Sequence, residues 1–507
     1  MAFLFLGGVT LDSNSTNIML CNKIHYGRQD IILDYDEVTP DNVIEVMQKA
    51  LSIHAQNRRD CQYLIDYFLG KQDILYREPS VASDINNTTV VNHAFPITRE
   101  IVGYTFANGV ELVQRDMNKK DAVNKLSDFY NYEDAYYVDI CTGIYSSICG
   151  VGYQITLPNS MITKDNTPEV PFIYEALDPR YTFVVKSSSV GNPQIMSCII
   201  GTTQNRRNMY TVYTDSYKFT IVAMDKDTLQ VERNPIGLDP ITMVENSLFL
   251  TGDWEQAISV MNATNQIASD SLNDIEGIIK SLLVIIGAEF DDEDENQTDI
   301  KRVKKNRILT LTGESGNNFD AKFISPQLDS TSTQNIREYL EDARNVITGI
   351  PDRSANSSGG DTGTAVLNRD GWTDIEIVAR LKELFFKKAK KRQLAVGIKI
   401  LQMLDLLDDS LRVIDIEPVI GRHTTDNLST KTTAFSTLVA TGELATIDCL
   451  ELSGLTNKTR EMVERGEQQK KQRQEEAMKI VDTNNQDNTQ QDDNKNNKTD
   501  TKLPSNS

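Results

Sequence analysis

The densest concentration of metal-ligating side chains in this 507-residue sequence is the run Asp291-Asp292-Glu293-Asp294-Glu295. Carboxylates are hard oxygen donors, so calcium or magnesium is the chemistry to test first. A calcium loop alternates its ligands with other residues and carries a turn glycine at a fixed place, and this run does neither. The run is followed by Lys301, Arg302, Lys304, Lys305 and Arg307. Juxtaposed blocks of opposite sign suit contacts with another subunit or a partner protein, or a plain solvated hairpin. A magnesium-dependent nuclease using the same carboxylates is the enzymatic alternative.

Other catalytic patterns are weaker still. Gly359-Gly360-Asp361-Thr362-Gly363-Thr364 opens a predicted helix, where backbone N–H groups attract phosphate. It follows a helix rather than a strand and has no lysine at the P-loop position, so it reads as a mobile linker. His25, His54, His93 and His423 lie far apart, and no serine or cysteine stands in a nucleophile elbow. The cysteines at 21, 61, 141, 149, 198 and 449 form no CxxC pair. They read as dispersed apolar side chains in a reducing compartment. The sequence thus predicts no catalytic set, no cofactor and no metal.

Whatever the chain does must then come from its elements. Apolar residues make up 39% and charged residues 25%, enough to bury cores, and the length calls for several domains. Lys plus Arg is 52 against 73 Asp plus Glu, a formal charge of −21. That balance excludes an ordinary nucleic-acid binder, which shows a basic footprint. Lys387, Lys388, Lys390, Lys391 and Arg392 form one local basic cluster, suited to DNA, to a neighbouring subunit or to a solvated helix face. The apolar Met1 to Leu6 lacks a basic n-region, and the strongest apolar run, Leu282 to Gly287, is far below the ~20 residues of a bilayer span. A soluble protein made in the cytoplasm, without a membrane partner, is expected.

Helical spacing of Val43, Met47, Leu51 and His54, continued by Cys61, Leu64 and Phe68, predicts a helix over about 39–68. A loop over 71–87 and a helix over 96–107, closed by Asn108-Gly109, follow. From Ile140 to about Leu250 β-branched and aromatic runs predict strands, the first at Gly152–Leu157. A long helix is expected over about 253–287, striped by Ile258, Met261, Ala268, Leu272, Ile275, Ile279 and Leu282. Next come a charged strand-like insert over 289–329 and a helix over 331–350 with Ile336, Leu340, Ala343 and Ile347. A polar loop over 351–362 leads to a helix over 364–407 through Val378, Leu381, Phe385, Leu394, Ile398 and Leu401. Residues 431–481 read as broken helix, and 482–507, almost without apolar side chains, as disordered.

This order of elements resembles the portal proteins of tailed phages, especially siphoviruses of Gram-positive hosts. The likeness runs from about 40 to 475 and is carried by short stretches in sequence order. Val91-Asn92-His93-Ala94-Phe95 leads into Ile101-Val102-Gly103-Tyr104 and Asn108-Gly109-Val110; Gly150-Val151-Gly152-Tyr153 and Leu177-Asp178-Pro179-Arg180 follow. Gly237-Leu238-Asp239-Pro240-Ile241, Glu245-Asn246 and Gly252-Asp253-Trp254-Glu255 approach the first long helix, in which Ser271 and Asn273-Asp274 fit. Gly349-Ile350-Pro351-Asp352 and Gly363-Thr364-Ala365-Val366 resemble the family's loop and next helix start. The family often has Ser-Gly-x-Ala where this chain has Thr362-Gly363-Thr364-Ala365, a conservative departure.

The resemblance implies an α+β portal fold: an α/β wing (1–250 with the N-terminal region), a two-helix stem (251–284 and 331–350) and a small β-containing clip (285–330). A tunnel loop (351–363), a long helix with the wing return (364–430), a helical crown (431–481) and a free tail (482–507) complete it. It implies stem packing by Ile258, Met261, Leu272, Ile275, Ile279, Ile336, Leu340 and Ile347. The clip's partner interface would use Asp291, Asp292, Glu293, Lys301, Arg302, Lys304 and Lys305; Asp352, Arg353, Ser354 and Asn356 would contact DNA from the tunnel loop. Expected partners are further copies of the chain in a dodecamer, double-stranded DNA, terminase, a head-completion adaptor, and the major capsid and scaffolding proteins. The expected place is the capsid portal vertex, after assembly in the host cytoplasm. A virion structural or scaffold-like protein without a channel is the alternative.

Overall fold

The computed structural model describes residues 26–78, 85–159, 171–279, 282–286, 308–311, 320–324, 330–351, 372–421, 428–442 and 444–453, with 455, 462–463 and 465–474. Two units are distinct, 1–423 and 424–507.

The first unit opens with strand β1 (Ile31–Leu33) and helix α1 (Val43–Phe68). Val43, Met47, Ala50, His54, Cys61 and Leu64 follow one another at steps of three, four or seven residues and are all buried, the one-sided burial that makes this sequence a helix. Helix α2 (Ala94–Thr105) and strand β2 (Val110–Gln114) follow. Two helices then occupy stretches whose pattern had given no helix: α3 (Lys120–Tyr132) and α4 (Ala135–Cys149). The expectation of strands from Ile140 is therefore corrected. Gly150, in the left-handed region at φ 78°, ends α4.

Strands β3 (Val151–Pro158), β4 (Phe172–Leu177), β5 (Thr182–Ser187), β6 (Gln194–Thr202), β7 (Asn208–Tyr213), β8 (Tyr217–Val222), β9 (Gln230–Arg233) and β10 (Ile241–Glu245) build two sheets. Their orders are β1-β5-β6-β7-β8-β9 and β10-β3-β4. Within these two sheets only the β1–β5 pair is parallel; the meander from β5 to β9 and the β10-β3-β4 sheet are antiparallel throughout. Every residue of β3 is buried. Its apolar face joins the main core with Phe172, Tyr174 and Ile241. Its other face, Gln154 and Thr156, is polar yet covered, and each side chain finds a hydrogen-bond partner there.

Helix α5 (Ile258–Ile279) is followed by strand β11 (Leu282–Ile286), then β12 (Ile308–Leu311), β13 (Asp320–Ile324) and helix α6 (Ser330–Thr348). The helix expected to Gly287 thus stops earlier. Leu282-Leu283-Val284-Ile285-Ile286 is a short run apolar at every position, which periodicity cannot divide between helix and strand. It is the middle strand of a β12-β11-β13 sheet, parallel to β12 and antiparallel to β13. Helix α7 (Trp372–Met403) and strand β14 (Ile416–Ile420), paired antiparallel with β2, complete the unit. The second unit holds α8 (Leu428–Thr441) and α9 (Thr446–Ser453). The tail 482–507 lies outside the described residues. No helix among the described residues is long and apolar enough to cross a membrane.

His54 supplies a pH-dependent element of this core. Its ring is 3% exposed, lies 4.6 Å from the Phe183 ring, and donates from Nε2 to the Arg180 carbonyl at 3.2 Å. Burial pulls its pKa from 6.5 down to about 4. A depressed folded pKa means the unfolded chain takes the proton first, so this contribution is complete above pH 6.5 and is lost as pH falls toward 4. Urea denaturation of wild type and His54→Gln at pH 7 and 4.5 should show the stability gap shrinking by about 2–3 kcal/mol at the lower pH. A gap that stays constant would remove His54 as the cause.

Candidate functional site: the root of the first long helix and its brace

The approach to α5 is densely bonded to the body of the chain. Trp254 is fully buried, stacks on Tyr67 with centroids 5.5 Å apart, and donates from Nε1 to Thr98 Oγ1 at 2.9 Å. Glu255 is also fully buried and accepts from the backbone N–H of Gly27 and Gly252, each at 2.8 Å, and from Arg28 Nη2 at 2.5 Å. Burial raises the Glu255 carboxyl, while Arg28 and the two amides pull against it. Asp253 donates its N–H to the Ser147 carbonyl at 2.8 Å and pairs with Lys382 of α7 at 2.5 Å. Gly252, Asp253, Trp254 and Glu255, which carry part of the family resemblance, form a clasp that fixes where α5 leaves the body.

Further along α5 one face is amide and hydroxyl rather than apolar. Asn262, Asn265, Ser269 and Asn273 sit three or four residues apart and so share one line on the helix. Tyr67 donates to Asn262 Oδ1 at 2.9 Å, Asn265 donates to Gln72 Oε1 at 2.5 Å, and the Val91 N–H reaches Asn265 Oδ1 at 2.7 Å. The N–H groups of Thr89 and Asn87 reach Ser269 Oγ and Asn273 Oδ1 at 2.9 and 2.7 Å. The extended segment 86–91 is strapped to the helix by these bonds. Sequence reasoning followed the apolar stripe and missed this line, although its three-four spacing of amides was there to be seen.

The expected stem residues divide. Ile258 and Met261 are buried in a core with Trp254 and Leu64. Leu272, Ile275, Ile336 and Ile347 are exposed on the isolated chain, Leu340 is half-buried, and the Ile279 side chain lies outside the described set. Helices α5 and α6 pack on each other. Beside α6 a cavity of about 290 Å³ lies against α2, lined among others by Glu100, Glu338, Glu341, Asp342, His93 and Arg344. Asp291, Asp292, Glu293, Lys301, Arg302, Lys304, Lys305, Asp352, Arg353, Ser354 and Asn356 all lie outside the described residues.

Four lysines of the basic cluster of α7 pair with carboxylates of the same chain. Lys390 is 3% exposed and donates to both carboxylate oxygens of Asp139, at 3.0 and 2.9 Å. Lys387 pairs with Glu383 at 2.7 Å, Lys388 with Glu245 at 3.2 Å and Lys391 with Glu417 at 3.2 Å. The Lys390, Lys388 and Lys391 pairs lace α7 to α4, β10 and β14, while the Lys387–Glu383 pair lies within α7 and Lys388 stays 75% exposed. Leu381, expected on the inward stripe, is exposed, whereas Ile375, Ala379 and Phe386 are buried. Of the cysteines, 61, 149, 198 and 449 are buried and 141 half-buried, all as free thiols. Among the described residues no group of three or more metal-ligating side chains converges.

Residues 48–476 match the model of a family described as "Phage portal protein, SPP1 Gp6-like". No curated protein matches the chain significantly. Among solved structures, a chain in the virion of a native gene transfer agent particle is similar at 13% identity, with 71% of this chain and 89% of that chain covered and a TM-score of 0.41. A chain in the neck of the native particle, with C12 symmetry, is similar at 12% identity over 73% and 92%, with a TM-score of 0.42.

Proposed function

Because the chain belongs to the SPP1 Gp6-like family of phage portal proteins, we propose that it works as the repeated subunit of a dodecameric ring. The ring sits at one capsid vertex and passes double-stranded DNA during packaging, retention and ejection. The observation that carries the reading lies within the matched span: helix α5, a three-stranded sheet and the returning helix α6, in that order. Two long helices joined by a small sheet suit a pore wall with a projecting mouth. In this reading α5 and α6 form the stem, and the clip starts at β11. Residues 351–363 form the tunnel loop, with Asp352, Arg353, Ser354 and Asn356 toward the duplex. The wing precedes α5, and the crown takes in 431–481.

The charge balance fits a passage better than a grip. DNA carries one phosphate charge per ~1.7 Å of axis, and ~6–10 phosphate contacts hold it tightly. A subunit with a formal charge of −21 lets a duplex slide past while an external motor supplies the work. Terminase during packaging and a head-completion adaptor afterwards dock on the clip, through the acidic run at 291–293 and the basic residues at 301–305. The major capsid and scaffolding proteins surround the ring. A siphovirus of a Gram-positive host, with assembly in its cytoplasm and the ring retained in the virion, is the setting that the sequence likeness supports. The role is structural rather than catalytic. Negative-stain microscopy of the purified full chain tests it: end views should show rings with a central hole, and particles of any other shape would end the portal reading.

A further inference from the structure

The turn 247–251 displays two large apolar side chains to water: Leu248 is 76% and Phe249 74% exposed. A flexible loop would fold them away, but this turn is held. The Leu250 N–H donates to the Ser247 carbonyl at 3.2 Å, the Thr251 N–H to Ser247 Oγ at 2.9 Å, and Asn246 Nδ2 to the Thr251 carbonyl at 2.9 Å. From outside the turn, the Arg28 N–H donates to the Leu250 carbonyl at 3.0 Å, and Leu250 itself is buried. Gly27 and Gly150 pack so closely that a Cβ on either would overlap the carbonyl oxygen of Phe249 or Leu250.

A second exposed apolar row runs along α7. Ile377, Leu381 and Leu384, between 54 and 62% exposed, stand at i, i+4 and i+7 and form one line. The same line continues to Lys388, which binds Glu245 two residues ahead of Ser247. The pair ties the end of the row to the strand that leads into the turn. Five such side chains expose on the order of 500 Å² of apolar area, near the upper end for a monomer.

We infer that this surface is covered by a second copy of the chain. The inference rests on the ring reading above and names the face that closes it. The apolar area is more than half of the ~800 Å² per partner that a stable interface buries. A chain of formal charge −21 is repelled by anionic lipid and by DNA, and a phosphate backbone offers apolar side chains nothing to bury against. Ring closure is head-to-tail, so the turn and row of one copy meet a different face of the next.

The test uses the full chain. Leu248→Asp with Phe249→Asp, and separately Leu381→Asp with Leu384→Asp, are compared with wild type by analytical ultracentrifugation. All four side chains are exposed in the free subunit, so thermal unfolding of the free subunit should be unchanged. The expected result is wild-type rings and variant monomers. Variants that assemble into rings like wild type overturn the inference while leaving the ring reading intact; a monomeric wild type ends both. Phe249→Cys adds a readout that does not depend on disrupting assembly. Its thiol should react with a maleimide several-fold more slowly in assembled rings than in dissociated folded subunits. Equal rates in the two states would overturn the inference.

Discussion

Replacing Lys390 with methionine is expected to destabilise the folded subunit by about 3–5 kcal/mol, the cost of leaving a buried charge without its partner. The Asp139 and Lys390 side chains are only 2 and 3% exposed. Tyr174 donates to Asp139 Oδ1 at 2.6 Å and Gln154 Nε2 at 3.0 Å, so the carboxylate is saturated with donors and cannot turn toward water. The ammonium also lies 4.7 Å from the Tyr174 ring centroid. Burial and the adjacent Asp139 together push the Tyr174 hydroxyl far above its usual range, which keeps it a donor. Methionine fills the stem of the lysine but offers nothing to the carboxylate. Combining Lys390→Met with Asp139→Leu removes both charges and should recover most of the loss, since well-packed apolar replacements of buried pairs are often neutral. Guanidinium denaturation of wild type and the two variants decides it. If the double variant were as unstable as the single one, lost packing rather than a stranded charge would be the cause.

Gly150→Ala should be nearly as damaging, at about 2–5 kcal/mol. Two effects combine: a non-glycine residue in the left-handed region costs ~1–2 kcal/mol, and overpacking against fixed atoms a further ~1–3. Here the obstruction is the Leu250 carbonyl, which cannot withdraw because it accepts the Arg28 N–H. Gly191→Ala is the control. That glycine has φ 90° but nothing within 4 Å of an added Cβ, so only the conformational cost applies. The difference between the two variants in denaturant measures the overlap alone. Equal losses would mean that the turn at 247–251 yields, and with it the rigidity assigned to Leu248 and Phe249.

Local patterns made some elements legible. Helix α1 was readable because one stripe of it is buried and the rest is wet. Helix α4 was not: Val138, Ile148, Thr142, Ser146 and Ser147 are all buried, so polar and apolar positions carry no period. On β3 apolar and polar residues alternate, yet the polar Gln154 and Thr156 are covered, bonded to Thr142 of α4 and Gln393 of α7. Asp139 and Lys390 stand 251 positions apart, and no window of sequence joins them. Their types were visible, their meeting was not, and so nothing in the basic cluster of α7 set the buried Lys390 apart from the exposed Lys388. The order of long helix, small sheet and returning helix was legible because it needs only element types.

The clasp around Trp254 and Glu255 has a mechanical consequence. Its contacts come from stretches near 27, 98, 147 and 382, which are remote along the backbone. A pull or twist delivered down α5 is therefore shared among four separate anchors, and no single one has to yield first. The strap at 86–91, held largely by single side-chain bonds, is the weaker link, and peeling under load should start there while the hinge end of the lever stays seated.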